Sequence, residues 1–218
     1  MPKISVVLPC RNEERGIGIC IKKIKKILKE KDYEIIVSDS STDKSAEIAK
    51  KLGAKVVKHK KGYGDALITG LNSAKGDFLI FADCDCSYDF AELPKFISAL
   101  HQGYDFVIGS RFKGNIEKRA MPFLHKYIGN PSLTFIFNQK FHTKFSDTHS
   151  GFRGLTKKSF NRMHIKCKGM EFASEMLKET KKLKLKTKEV PISYSKRIGK
   201  SKLNSLMDGF KHLRFILR

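Results

Sequence analysis

The chain lacks the features that mark secreted, disulfide-linked or membrane-spanning proteins. Its five cysteines are odd in number and contain no C-x-x-C pair, which argues against a disulfide framework and a structural zinc site. The first apolar segment follows the initial Met almost directly, without a charged leader or a cleavage site. No apolar run approaches the roughly 18 to 20 residues that cross a bilayer. These absences predict a protein of the reducing cytoplasm.

Acidic residues are also scarce. Lys and Arg number 44 against 22 Asp and Glu, which gives a formal net charge of +22. Nucleic acid, phosphorylated substrates and membrane headgroups could all balance such an excess, and part of it is typical of a solvated lysine coat. Because no RNP, KH or zinc-finger signature is present, no nucleic-acid partner is expected.

Apolar runs of strand length alternate with segments of helical periodicity over the first half of the chain. The predicted strands cover residues 4–8, 33–37, 54–57, 78–82 and 106–108, and a helix follows each of the first four. This alternation predicts an α/β fold with a doubly wound, mostly parallel sheet and helices on both faces. Beyond it the pattern is irregular, with a partly helical segment 121–141 broken at 129–131, a strand near 155, a helix 170–180 and an edge strand 186–194.

The last segment has a different character. Apolar residues recur on one helical face while basic residues occupy the others, namely Leu203, Leu206, Phe210, Leu213 and Leu217 against Lys211, His212, Arg214 and Arg218. The sequence therefore predicts a catalytic domain over 1–202 and a basic amphipathic helix over 203–218. Such a helix lies in a membrane interface or packs on its own domain, and periodicity does not choose between the two.

Two carboxylates stand where a buried strand ends. Side chains alternate along a strand, so Asp83 and Asp85 share one side while Cys84 points to the other. The pair can hold one cation, and oxygen-only ligands suit Mg²⁺ or Mn²⁺, which complete their shell with water and a diphosphate. An isolated D-x-D more often begins a solvated loop, so the argument depends on the motifs around it.

Those motifs together resemble family 2 glycosyltransferases of the GT-A fold. They are Leu8-Pro9-Cys10-Arg11-Asn12-Glu13, Ser38-Asp39-Ser40-Ser41-Thr42-Asp43, Gly62-Tyr63-Gly64-Asp65-Ala66, Asp83-Cys84-Asp85, Gly109-Ser110-Arg111 and Ser150-Gly151-Phe152-Arg153. Within the family the chain is most similar to dolichyl- and polyprenyl-phosphate mannose or glucose synthases. The segments Glu189-Val190-Pro191-Ile192 and Arg197-Ile198-Gly199-Lys200-Ser201-Lys202-Leu203 carry this closer resemblance.

The resemblance implies a donor site for a nucleotide diphosphate sugar of the GDP-mannose or UDP-glucose type. Pro9, Arg11 and Glu13 match the segment that lies against the base, with Arg11 standing where an aromatic residue is common. Asp39 matches an acidic residue that contacts the nucleoside. In the D-x-D, Asp85 is implied as the direct metal ligand, with Asp83 as its partner nearer the ribose.

The resemblance also implies a polyprenyl or dolichyl phosphate acceptor, whose phosphate needs cations. The candidates are Arg111, Arg119, Arg153, Arg197, Lys200 and Lys202, and arginine suits bidentate phosphate capture better than lysine. Arg153 is counted with Asp85 and Asp147 among the expected catalytic residues. Asp147 is interpreted as a group that contacts the sugar or orients the acceptor, with general base as the lesser alternative.

The leading hypothesis is an inverting, metal-dependent hexosyltransferase at the cytoplasmic membrane face. One alternative keeps the fold but transfers the sugar to a hydroxyl of a glycan or small molecule, in which case Asp147 must act as the base. Another is a basic nucleic-acid-binding protein, which the charge permits but the D-x-D disfavours.

Overall fold

The structure, a computed structural model, describes residues 3–60, 62–199 and 205–217. Its strands are β1 (Ile4–Cys10), β2 (Tyr33–Asp39), β3 (Lys55–Lys58), β4 (Phe78–Phe81), β5 (Phe106–Ile116), β6 (Arg153–Thr156) and β7 (Thr187–Tyr194). Its helices are α1 (Ile17–Leu28), α2 (Ser45–Lys51), α3 (Tyr63–Ser73), α4 (Leu93–His101), α5 (Asn130–Phe141), α6 (Lys157–Arg162), α7 (Phe172–Lys182) and α8 (Ser205–Leu217).

The strands form one seven-stranded sheet in the order β3-β2-β1-β4-β6-β5-β7. All pairs are parallel except those of β6, which runs antiparallel between β4 and β5. The strand order reverses direction between β1 and β4, and a ligand crevice is expected beyond the carboxyl ends of the strands at such a point. The predicted mostly parallel α/β sheet is confirmed.

The sheet is buried because helices cover both faces. On one face α1 contributes an apolar stripe of Ile17, Ile21, Ile24 and Leu28 at helical spacing, all fully buried. On the other face α3 and α7 pack their apolar residues against the sheet. Every residue of β4 is buried, which is typical of a central strand covered on both sides.

The second half of the chain departs from the sequence prediction. The helix break expected at 129–131 is wrong, because a π-helical turn at His125–Gly129 passes directly into α5. Pro131 is tolerated there because it lies in the first turn, where its missing N–H would have no helical partner. Strand β5 continues eight residues beyond the predicted end at Ile108, and α6 was not anticipated.

Helix α8 exists at the predicted place and packs on the domain, in contact with α5 and α7. It buries His212 and Ile216, whereas Phe210 and Leu217 remain more than half exposed. Leu203 and the predicted domain boundary at 202 lie outside the described residues. Among the described residues, no helix has both the length and the apolar character to cross a membrane.

Candidate active site

A cavity of about 450 Å³ opens at the crevice between β1 and β4. Its lining includes residues that the sequence had singled out: Pro9 at the end of β1, Arg11 and Glu13 after it, Arg197 from the loop after β7, and both aspartates of the D-x-D. We call it the donor cavity. Residues distant in sequence meet here because parallel strands present their carboxyl ends at the same sheet edge.

Asp83 and Asp85 follow β4 directly and differ in their surroundings. Oδ1 of Asp85 accepts hydrogen bonds from the backbone N–H and the hydroxyl of Ser87, at 2.9 and 2.6 Å. Burial, and then the charge of Asp85, raises the pKa of Asp83 to about 7, while a hydrogen bond from Tyr63 opposes the rise. The two carboxylates thus interact electrostatically, and both line the donor cavity.

The Ser150-Gly151-Phe152-Arg153 motif lies against this pair. A Cβ at Gly151 would stand 3.1 Å from Oδ2 of Asp83, 3.1 Å from the hydroxyl of Tyr63 and 3.3 Å from that of Tyr88. The N–H of Gly151 donates to the Tyr88 hydroxyl at 2.7 Å. Glycine at this position therefore lets the backbone approach the aspartate closely.

The predicted donor residues separate into two groups. Pro9, Arg11 and Glu13 line the donor cavity, whereas Asp39 is fully buried and is not among the described lining residues. Oδ2 of Asp39 lies 2.5 Å from Nζ of Lys58, and Oδ1 accepts the N–H of Ser41. The structure thus places Asp39 behind the cavity wall, where it fixes the β2 loop.

Arg197 lies between two acids of the donor cavity. Its Nη2 donates to Oε1 of Glu13 at 2.9 Å, and its Nη1 lies 3.3 Å from Oδ2 of Asp85. Backbone bonds hold its loop, since the N–H of Ile198 donates to the carbonyl of Asp85 and that of Ser195 to the carbonyl of Ser87. The sequence had predicted Arg197 at the acceptor phosphate.

A second cavity of about 690 Å³ adjoins the first, and Tyr63, Asp83, Met170 and Arg197 line both. We call it the acceptor cavity. Three further arginines from the predicted acceptor group, Arg111, Arg119 and Arg153, line it as well. Lys200 and Lys202 lie outside the described residues, so their predicted role stays a prediction.

Arg111 and Asp147 bind each other across the wall of the acceptor cavity. Nε and Nη2 of Arg111 donate to the two oxygens of Asp147 at 2.7 and 2.8 Å, and the N–H groups of Arg111 and His149 add to the same carboxylate. Burial opposes the charged form of Arg111, but Asp147 outweighs it, so the pKa of Arg111 lies above its usual value. Asp147 is fully buried and lines neither cavity in the described part.

Arg153 is tied to main-chain carbonyls. Its guanidinium donates to the carbonyls of Thr148, Ser150 and Ala173 at 2.7 to 3.0 Å, and the residue is about 1% exposed. Burial lowers its pKa to about 10, so it stays charged at neutral pH. These bonds hold the 148–151 turn against α7. Of the three arginines, Arg119 alone is largely exposed at the cavity rim.

The residues present fit a divalent cation. The described residues contain no cluster of three or more His, Cys, Asp or Glu that would form a complete protein cage. Mg²⁺ and Mn²⁺ do not need one, since they take one or two carboxylates and complete their shell with water and phosphate oxygens. After burial, repulsion by the charge of Asp85 is the next cause of the raised pKa of Asp83, and a bound cation would relieve that repulsion.

Sequence reasoning missed the aromatic side chains around Asp83. Tyr63, Tyr88 and Tyr194 surround the junction of the two cavities, and the Tyr88 and Tyr194 rings meet edge to face at 5.2 Å. The guanidinium of Arg111 lies 5.2 Å from the centre of the Tyr194 ring. Tyr63 was within reach because it stands inside a quoted motif, but nothing in the sequence indicated that its hydroxyl would meet Asp83.

Similarity to known proteins extends over the whole chain. It is 42% identical over 99% of its length to a low-salt glycan biosynthesis hexosyltransferase of Haloferax volcanii, of which it spans 53%. It is 30% identical over 99% of its length to a dolichol-phosphate mannosyltransferase of Pyrococcus furiosus, spanning 63% of that protein. The chain thus covers between half and two thirds of these relatives.

Solved structures share the fold. Glucosyl-3-phosphoglycerate synthase from Mycobacterium tuberculosis, solved with Mn²⁺, UDP and glucosyl-3-phosphoglycerate, matches with a TM-score of 0.78 and 21% identity over 99% of this chain and 79% of that one. The sequence model of Glycosyl transferase family 2 matches residues 5–163. Asp83, Asp85 and the first residues of the donor cavity, Pro9 to Glu13, lie within that range, whereas Arg197 lies beyond it; the chain belongs to glycosyl transferase family 2.

Proposed function

We propose that this protein is an inverting hexosyltransferase that moves mannose or glucose from a nucleotide diphosphate sugar to a polyprenyl or dolichyl phosphate. The observation that carries the proposal is the position of Asp83 at the junction of two adjoining cavities. A transfer reaction needs such a junction, because donor and acceptor must meet at one carbon.

The donor cavity is suited to a nucleotide and a diphosphate. Pro9, Arg11 and Glu13 give its lining one apolar and two polar surfaces, and both aspartates of the D-x-D line it as well. Mg²⁺ or Mn²⁺ bound there would neutralise the diphosphate leaving group. Asp83 and Asp85 orient that group, and the backbone of Gly151 packs closely against Asp83.

The acceptor cavity is suited to an anionic nucleophile. The second pKa of a phosphate monoester is about 6, so its oxygen is already charged near neutral pH and needs no base. Arg111 is positioned by Asp147 and faces the cavity, and Arg119 stands at its rim. These cations hold the phosphate in line with the sugar. A hexosyltransferase and a dolichol-phosphate mannosyltransferase among the similar proteins support this substrate class.

A hydroxyl acceptor fits the site less well. It would require a general base beside the reacting oxygen. Asp83 is the only carboxylate among the described residues that line the acceptor cavity, and the proposal already assigns it to the metal. Asp147, which the hydroxyl hypothesis would use, has both oxygens bound by Arg111.

An exposed apolar surface supports the proposal that the protein acts at a membrane surface. Among the side chains that the structure describes, the large apolar ones more than half exposed are Phe123, Leu124, Tyr127 and Ile128 before α5, Phe135 on α5, Phe210 and Leu217 on α8, and Ile19 on α1. Phe123 itself lines the acceptor cavity. Exposed apolar groups beside cations are typical of surfaces that enter the headgroup region, where a polyprenyl chain would be anchored. We propose peripheral association with the cytoplasmic membrane face.

The test is a transfer assay with purified protein, Mn²⁺, a panel of radiolabelled nucleotide sugars and a polyprenyl phosphate in mixed micelles. We expect label in the lipid fraction with one GDP- or UDP-hexose, and a product of inverted anomeric configuration. Parallel reactions offer a polyprenyl alcohol and a free glycan. Transfer to those acceptors but not to the lipid phosphate would contradict the proposal.

A further inference from the structure

We propose that Arg197 and the metal ion compete for Asp85, and that binding of the metal with its nucleotide releases Arg197 from Asp85 to the acceptor cavity. This rests on the proposed function, since it assigns an order to the two substrates. Arg197 is suited to the task because it lines both cavities.

Arg197 and a metal ion would bind the same carboxylate oxygen of Asp85. Its Oδ1 already accepts two hydrogen bonds from Ser87, so Oδ2 is the oxygen open to a metal. That oxygen is the one that Nη1 of Arg197 approaches at 3.3 Å. A guanidinium group and a metal ion would repel each other at this distance, so they compete for the same place.

A metal ion that binds together with a diphosphate should displace the Arg197 guanidinium from Asp85. A divalent ion binds a carboxylate oxygen at about 2.1 Å with twice the charge of a guanidinium, so its direct Coulomb attraction is about three times larger before dehydration. Diphosphate oxygens add to the metal shell. The guanidinium, in contrast, leaves its buried Nε without a partner among the described residues, so its present position does not satisfy it fully.

The loop geometry allows this exchange without unfolding. The backbone of the Arg197 loop is fixed at Ser195 and Ile198 by bonds to Ser87 and Asp85. The long side chain between those anchors can turn from one cavity to the other by rotamer changes alone. Released from Asp85, its charge joins Arg111 and Arg119 at the acceptor cavity. The acceptor anion therefore binds more tightly after the donor.

The first measurement is Mn²⁺ binding by the free protein, followed through the electron paramagnetic resonance of unbound Mn²⁺. Arg197→Ala removes the competitor and should tighten Mn²⁺ binding about tenfold. Lys196→Ala is the matched control, because it removes one positive charge from the same loop at an exposed position. It should change the affinity less than twofold. Equal effects of the two variants, or no effect of Arg197→Ala, would overturn the proposal.

The second measurement uses the unaltered chain and so does not depend on a variant that folds. The ¹⁵N resonance of the Arg197 Nε–H, assigned by its loss in Arg197→Lys, should shift and exchange faster with water when Mg²⁺ and GDP or UDP are added. A resonance that stays in place at saturating Mg²⁺ and nucleotide contradicts the exchange. Both readouts are independent of sugar transfer. If the metal affinity and the Arg197 resonance behave as expected but no sugar is transferred, the proposed function alone is refuted. If sugar is transferred but the metal affinity and the resonance do not behave as expected, the exchange alone is refuted.

Discussion

Arg111 and Asp147 form a buried ion pair in which two nitrogens of the guanidinium meet both oxygens of the carboxylate, at 2.7 and 2.8 Å. The pair joins the middle of β5 to the turn that precedes β6. Its geometry assigns Asp147 to positioning Arg111, because neither of its oxygens is left to accept a proton from a substrate. The expectation that Asp147 contacts the sugar or orients the acceptor, with general base as the lesser alternative, stays a prediction, and we propose that Asp147 acts through Arg111.

Asp147→Asn should destabilise the protein by about 3 kcal/mol, because it leaves a buried guanidinium without its counter-ion. Urea unfolding followed by circular dichroism measures the change. The double variant Arg111→Met with Asp147→Leu removes both charges and should recover most of the lost stability, but it should not regain affinity for lipid phosphate. If Asp147→Asn keeps wild-type stability and loses only turnover, Asp147 is a base after all.

Asp85→Asn should abolish metal-dependent donor binding, because an amide keeps the shape of the side chain but not the charge that a divalent cation needs. Calorimetric titration with Mn²⁺ and the nucleotide sugar detects the loss. Asp89→Asn is the control, since Asp89 caps a short helix and pairs with Lys23 outside both cavities. The assignment fails if the two variants bind the donor equally well.

Substituting Phe123 and Tyr127 by serine should weaken binding to anionic liposomes, because these exposed rings, 4.7 Å apart, lie beside the acceptor cavity. Co-sedimentation should fall severalfold while Mn²⁺ binding persists. Ile19→Ser removes a half-exposed apolar group from α1 and should leave sedimentation unchanged. A variant that lacks α8 provides the complementary comparison. If only that variant loses co-sedimentation with liposomes, the membrane contact lies on α8.

His149 should make the protein less stable in mild acid. Burial, and then the charges of His212, Arg111 and Arg153, lower the pKa of His149 well below 6.5, so the folded state keeps the imidazole neutral. Between that lowered pKa and about 6.5 the unfolded chain binds the extra proton, and stability therefore falls as the pH decreases.

The raised pKa of Asp83 acts in the opposite direction over part of this range, so the effect must be measured as a difference. The free energy of unfolding of the wild type relative to His149→Gln should fall by about 1 kcal/mol per pH unit below pH 6.5 and stay constant above it. Urea unfolding at pH 5.5, 6.5 and 7.5 tests this. A difference that does not vary with pH would mean that His149 titrates normally.

Local patterns were enough to predict the strand and helix order of the first half and the carboxylate pair at the end of β4. Burial on both sides dictates an apolar strand, and two aspartates at its end are visible without any long-range information. The segment after β5 was predicted less well. The antiparallel insertion of β6 depends on pairing with two strands that are distant along the chain, and the π-helical turn before α5 carries no periodicity of its own.

The sequence by itself determined the family, the fold class and the presence of several arginines in or near the motifs. Only the tertiary structure decided what each arginine does. Arg153 donates hydrogen bonds to main-chain carbonyls, and Arg111 donates to Asp147. Arg197 donates to Glu13, which is 184 residues away along the chain. The physical reason is that an arginine's availability depends on which acceptors the fold places within reach of its guanidinium, and those acceptors come from strands and loops that are separated along the chain.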